Sequence, residues 1–218
     1  MISQMRLLLL LLLVFASLAA HAQEAITVLE RREIPLERPV APATHAFRLT
    51  LALIDGSGWT PDAVVTAANE SARILGQCGV ALKEMKLIRV AAPIRFHDFL
   101  TPLSRELAAV LQLGKPTIYF IAGTRQRPAF DAEAIGRGNS RTRPELADSV
   151  WVTHGTRDLG IVLAHELAHV LMDSGEHSGA PGNLMRDETA SENTWLSEAQ
   201  CVRLRVTGSA NGLLGPVK

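Results

Sequence analysis

Apolar side chains fall on alternate positions between residues 46 and 54, with Phe47, Leu49, Leu51 and Leu53 on one side. That two-residue period predicts a β-strand. Asp55-Gly56-Ser57-Gly58 is a turn. Thr60-Pro61 then has the form of a helix N-cap with proline at the first helical position, predicting a helix to about residue 75 that ends at Gly76 or Gly79. Residues 80–90 read as a second strand. Thr101-Pro102 repeats the cap-and-proline form before a helix through Leu111. The apolar run 117–122 predicts a central strand, 132–138 an edge strand and 149–153 the last strand. From 157 to 173 the pattern changes. Leu159, Ile161, Val162, Leu163, Leu167, Val170 and Leu171 make the segment apolar on nearly all sides, as in a buried helix. Ser197 and Gln200 form an S-x-x-Q capping box for a final helix carrying Cys201, Val202, Leu204 and Val206, and Gly208, Gly212 and Gly215 follow.

The buried helix holds the chemistry. Within it stands His165-Glu166-Leu167-Ala168-His169, an H-E-x-x-H motif. Histidines four apart lie one turn apart on the same helix face, so their imidazoles can meet at one zinc ion. Glu166, beside the first of them, is placed to take a proton from a water activated there. Unpaired polar groups are costly inside an apolar helix, and a metal supplies the compensation. Catalytic zinc sites commonly use three protein ligands and keep one position open. His177 is the third candidate, beyond a turn at Asp173-Ser174-Gly175. Glu188 and Glu192 are the carboxylate alternatives, because zinc also accepts oxygen. Their surroundings, 188–193, lack an apolar helical face, while Asp173 and Glu176 read as turn decoration.

These residues, with Asn183-Leu184-Met185 downstream, resemble the metzincin clan of zinc peptidases, in the manner of reprolysin- or matrixin-like bacterial secreted proteins. That clan's pattern is H-E-x-x-H-x-x-G-x-x-H followed by a methionine turn. Met172 stands at the glycine position, Gly175 stands where the third histidine is expected, and His177 comes two residues late. The resemblance implies that Met185 packs beneath the metal and that His165, His169 and His177 are its ligands. It also implies that an edge strand beside the active-site helix pairs with an extended substrate, and 132–138 is the candidate by order in the chain. The tyrosine ligand of some branches is missing: Arg186 and Asp187 follow Met185, and Tyr119 lies in a predicted core strand.

Composition narrows the setting. The chain has 218 residues, 47% hydrophobic and 20% charged, with 22 basic and 22 acidic side chains. That is enough for one domain with a substantial core, and the neutral balance argues against nucleic acid as the main partner. Arg6, the apolar run 7–18 and Ala20-His21-Ala22 form an export signal cleaved after Ala22. That run is short for a membrane span, and no second candidate follows. Residues 23–43, rich in Pro, Glu and Arg, read as an extended or loosely attached lead-in before the domain at 44–218. Cys78 and Cys201 predict one disulfide in an oxidising compartment, the alternative being two buried thiols. The arginines at 125, 127, 137, 141 and 143 read as a solvated loop, although they would favour acidic substrates if they faced the cleft.

The order of elements predicts an α+β chain: a twisted mixed β-sheet, an active-site helix and a small C-terminal subdomain, the plan of the metzincin-type fold. The function expected is that of a zinc endopeptidase in the periplasm or medium, acting on peptide or protein substrates with Glu166 as general base. Two other readings stay open. One is a non-catalytic zinc-containing exported binding protein. The other is a zinc amidase acting on cell-wall or small amide substrates.

Overall fold

The computed structural model describes residues 25–36, 42–125, 134–137 (as backbone) and 144–217. The proposed export signal lies outside them. A central block of parallel strands dominates: β2 (His45–Ile54), β3 (Val80–Ala91), β5 (Thr117–Ile121) and β8 (Ser149–Thr153). An antiparallel strand closes each end, β1 (Thr27–Ile34) on β3 and β7 (Ala134–Arg137) on β8. The order across the sheet is β1-β3-β2-β5-β8-β7, and the short β9 (Gly215–Pro216) pairs with the start of β2. The remaining pair, β4 (Asp98–Phe99) and β6 (Gly123–Thr124), forms a separate small sheet.

Helices cover both faces, and the strand alternation explains why. Phe47, Leu49, Leu51, Leu53, Ile118, Phe120, Val150 and Val152 share one core with three helices. These are α1 (Pro61–Leu75), α3 (Leu159–Met172) and α4 (Glu198–Ala210). Ala52, Ile54, Tyr119, Ile121 and Trp151 face the other way, onto α2 (Thr101–Leu111). Strands covered on both faces must be apolar on both, and the residues between the alternating set are therefore apolar too. On the second face Tyr119 stacks on Trp151, ring centroids 4.0 Å apart. Burial pushes the Tyr119 hydroxyl far above its ordinary pKa.

Local signals decide the helix boundaries. Thr60 caps α1, its side chain accepting a hydrogen bond from Ala63 N–H. Ser197 and Gln200 form the complete reciprocal box at α4. The expected cap of α2 is displaced. Thr101 is already helical, and Leu100 is the extended residue before it, its own side chain making no cap bond. The 23–43 segment, expected to be extended or loosely attached, is an extended strand over part of its length. Its middle is strand β1, registered on β3 from Thr27 opposite Ala91 to Ile34 opposite Met85. Its charged side chains are compatible with this, because an edge strand with one solvated side is free to carry them.

Cys78, in the short 3-10 turn that follows α1, is disulfide-bonded to Cys201 in α4, with 4.8 Å between Cα atoms. The bond ties the C-terminal subdomain to the first helix. Among the described residues no helix is long and apolar enough to cross a membrane.

Candidate metal centre

Helix α3 leaves the end of β8 and crosses the first face of the sheet, packing against α1, α4 and β7. Eleven of its residues are buried, including His165. The helix continues to Met172, and Asp173 then turns the chain with φ 47°. Aspartate is among the few side chains that tolerate this left-handed region. The turn therefore falls one residue beyond the glycine position of the resembled pattern. This delay, with the residues after it, accommodates the late arrival of His177.

The three histidines converge. His169 Nε2 lies 2.9 Å from His165 Nε2 and 3.2 Å from His177 Nε2. Ligand atoms of all three fall within 4.8 Å of one another, the one such group of metal-binding side chains among the described residues. His165 is buried, His169 is half-buried and His177 is exposed at the rim.

The opposite nitrogens fix what the inward ones can be. His165 Nδ1 is 2.7 Å from the Leu184 carbonyl, and His169 Nδ1 is 2.6 Å from the Ser174 carbonyl. His177 Nδ1 is 2.7 Å from Asp187 Oδ1. A carbonyl or carboxylate oxygen can only accept, so each Nδ1 carries the proton and donates it. In a neutral ring the Nε2 atom is then a bare lone pair. Three lone pairs facing one another at these distances repel unless a cation lies between them. Tetrahedral ligation at about 2.0–2.1 Å separates ligand nitrogens by roughly 3.3 Å, close to the spacing found. The residues fit a metal ion.

Electrostatics favour the same state. Burial lowers the pKa of His165. Burial, with the neighbouring His165, lowers that of His169 to about 4. Both rings are therefore neutral near pH 7, the form that binds metals.

None of the acidic ligand alternatives joins this cluster. Glu176 pairs with Arg203 at 2.7 Å, which with Ser174 holds its carboxyl below the usual range. Glu192 accepts from Ser191 Oγ, and Glu188 contributes its backbone carbonyl to Asn193. Arg125 is engaged by Asp98 at 2.8 Å. Arg127, Arg141 and Arg143 lie outside the described residues. Glu166 is half-buried beside His165 on α3.

Sequence reasoning missed the outer ring of acceptors, the carbonyls of Ser174 and Leu184 and the carboxylate of Asp187. Backbone carbonyls leave no trace in a sequence. An acidic residue two places after Met185 was the one readable sign. Met185 is fully buried, its N–H donates to Asn183 Oδ1 at 2.9 Å, and its carbonyl accepts from Ser178 N–H at 2.6 Å.

No protein-family model and no curated protein matches this chain. Among solved structures it is similar to metalloproteinase-II from Bacteroides fragilis, with a TM-score of 0.53 and 20% sequence identity. The likeness covers 80% of this chain and 57% of the other, so this chain spans little more than half the neighbour's length. What it establishes is the fold: a twisted mixed sheet with helices, of the α+β metallopeptidase type.

Proposed function

We propose that the protein is a zinc-dependent endopeptidase of metzincin type, exported through the signal at 1–22, with a catalytic domain at 44–218. The observation that carries this reading is the convergence of three imidazoles whose Nδ1 atoms are all committed to acceptors, on a metallopeptidase fold. Three histidines suit zinc and leave a fourth position for water or substrate. When bound there, zinc supplies Lewis acidity, lowering the pKa of water and polarising a carbonyl oxygen.

The chain's own residues do the rest. His165, His169 and His177 hold the ion, each oriented by its acceptor. Glu166 takes the proton from the attacking water and passes it to the departing amine. Met185 forms a buried apolar floor under the ligands. On its outer side β7 has no strand partner among the described residues. An extended peptide can add there as a further strand, its backbone satisfied by the free edge. The disulfide and the lack of a membrane-crossing helix among the described residues are compatible with a periplasmic or secreted location.

The same chemistry would serve a zinc amidase, while a purely structural zinc site is usually closed by a fourth protein ligand. The test is digestion of a diverse peptide library by the zinc-loaded mature chain, against Glu166→Gln. Cleavage that falls by roughly 10²–10⁴-fold in the variant, with zinc retained, is the expected result. Undiminished cleavage by Glu166→Gln would remove the base role. No peptide cleavage by the zinc-loaded wild type would turn the reading towards the amidase or the binding protein.

A further inference from the structure

The third ligand is the least supported of the three by the fold. His165 and His169 are carried by a buried helix, whereas His177 stands on a loop with its side chain 36% exposed. Two tethers hold that loop near the site, the Glu176–Arg203 ion pair to α4 and the Ser178 N–H to Met185 carbonyl bond. Both constrain the backbone on either side of His177. Neither determines which ring nitrogen faces the other two histidines.

Asp187 does. Its Oδ1 lies 2.7 Å from His177 Nδ1, while its side chain is otherwise 83% exposed. A pair this open to water contributes little to fold stability. Its consequence lies in orientation. By accepting from Nδ1–H it sets the tautomer, turns Nε2 inward and makes the imidazole a stronger donor to a metal. His165 and His169 receive the same service from carbonyls, so Asp187 is the one anionic member of the outer ring.

We infer that Asp187 is a positioning residue that makes His177 a competent metal ligand, compensating on the longer loop for the closer support the other two histidines receive. The inference rests on the metal-binding reading above, and the experiment separates the two. Zinc affinity of the full mature chain is measured by competition with a chelator for the wild type, Asp187→Ala, Asp187→Asn, His177→Ala and the His177→Ala/Asp187→Ala double variant. Melting of each metal-free protein is followed in parallel, and the visible spectrum of the cobalt-loaded forms reports ligand number.

Asp187→Ala should weaken zinc binding by roughly 10–100-fold while leaving the metal-free melting curve unchanged. Asp187→Asn, whose amide oxygen still accepts the N–H, should lose less. In the His177→Ala background the Asp187 change should have no further effect, because the ring it orients is gone. Wild-type affinity in Asp187→Ala, or an undiminished loss in the double variant, would overturn the inference while leaving the metal site standing. A wild-type chain that binds no zinc would overturn the metal reading and this inference together.

Discussion

Asn183 and Gln200 face each other as a reciprocal amide pair. Asn183 Nδ2 donates to Gln200 Oε1 at 2.9 Å, and Gln200 Nε2 donates to Asn183 Oδ1 at 3.1 Å. Each amide has a second task. Asn183 Oδ1 also accepts from Met185 N–H, while Gln200 Oε1 accepts from Ser197 N–H in the capping box of α4. The turn that presents the Leu184 carbonyl to His165 is thereby pinned to the start of the last helix.

Asn183 is 1% exposed, so removing its amide strands the buried Met185 N–H and unpairs the half-buried Gln200 amide. Asn183→Ala should cost about 2–3 kcal/mol, lowering Tm by roughly 5–10 °C for a chain of this size. Because the Leu184 carbonyl shifts with the turn, zinc affinity should fall as well. Thermal melting of the metal-free form and chelator competition of the zinc form measure the two effects separately. Unchanged melting would mean that the amide pair contributes nothing.

The disulfide extends this brace to α1. It closes a sequence separation of 123 residues, for which chain-entropy arguments give about 4–5 kcal/mol. Replacing both cysteines by alanine should cost up to that amount. It should also loosen α4, which carries the Gln200 and Arg203 contacts to the metal loop. Denaturant unfolding of the double variant, with zinc content assayed in parallel, is the measurement. The expected result is a lower midpoint and easier loss of zinc to a chelator.

Acid should weaken the metal-free protein through its histidines. The folded-state pKa of His169 lies at about 4, below its ordinary 6.5, and that of His165 is also lowered, in both cases chiefly by burial. The unfolded chain therefore binds more protons between these values. This contribution to stability is present in full above about pH 6.5 and is lost as the pH falls through about 4. Unfolding free energies of the metal-free protein across that window should decline. A His165→Gln/His169→Gln variant should decline less steeply, leaving the carboxylates to account for the remainder.

How far the sequence was legible depended on whether a feature was local or made by tertiary contact. The parallel strands could be read because double burial leaves them apolar on both sides, as in Ile118-Tyr119-Phe120-Ile121. The caps of α1 and α4 were legible because Thr60 and Ser197 act on residues three ahead of them. The H-E-x-x-H spacing is helix geometry written in sequence. Strand β1 was obscured by Glu30-Arg31-Arg32-Glu33, charges that an edge strand accommodates as readily as a linker does. Leu100 carried no capping signal because its own side chain makes no cap bond; Ser104 Oγ, inside α2, accepts its N–H instead. Asp187 was hidden for a different reason: its role exists only once a loop eight residues after the second helix histidine has folded back.

Gly160 supplies a test of how closely the metal helix is fitted to its neighbour. It lies in the first turn of α3, buried against α1, where a Cβ would meet Glu70, with Cδ at 2.5 Å and Cγ at 2.6 Å. In an unconstrained helix Gly→Ala is favourable by up to about 1 kcal/mol. Here the added methyl must displace the carboxylate and part of its stem, an exposed side chain that can change rotamer, so Gly160→Ala should lose that gain and destabilise by at most about 1 kcal/mol. Glu70 itself is exposed, and shortening it removes the obstruction. The Gly160→Ala/Glu70→Ala pair should therefore be at least as stable as Glu70→Ala alone, a reversal of sign that a double-mutant cycle by chemical denaturation would show. If Gly160→Ala costs as much in the Glu70→Ala background, the constraint is the backbone approach of α1 to α3 rather than the glutamate.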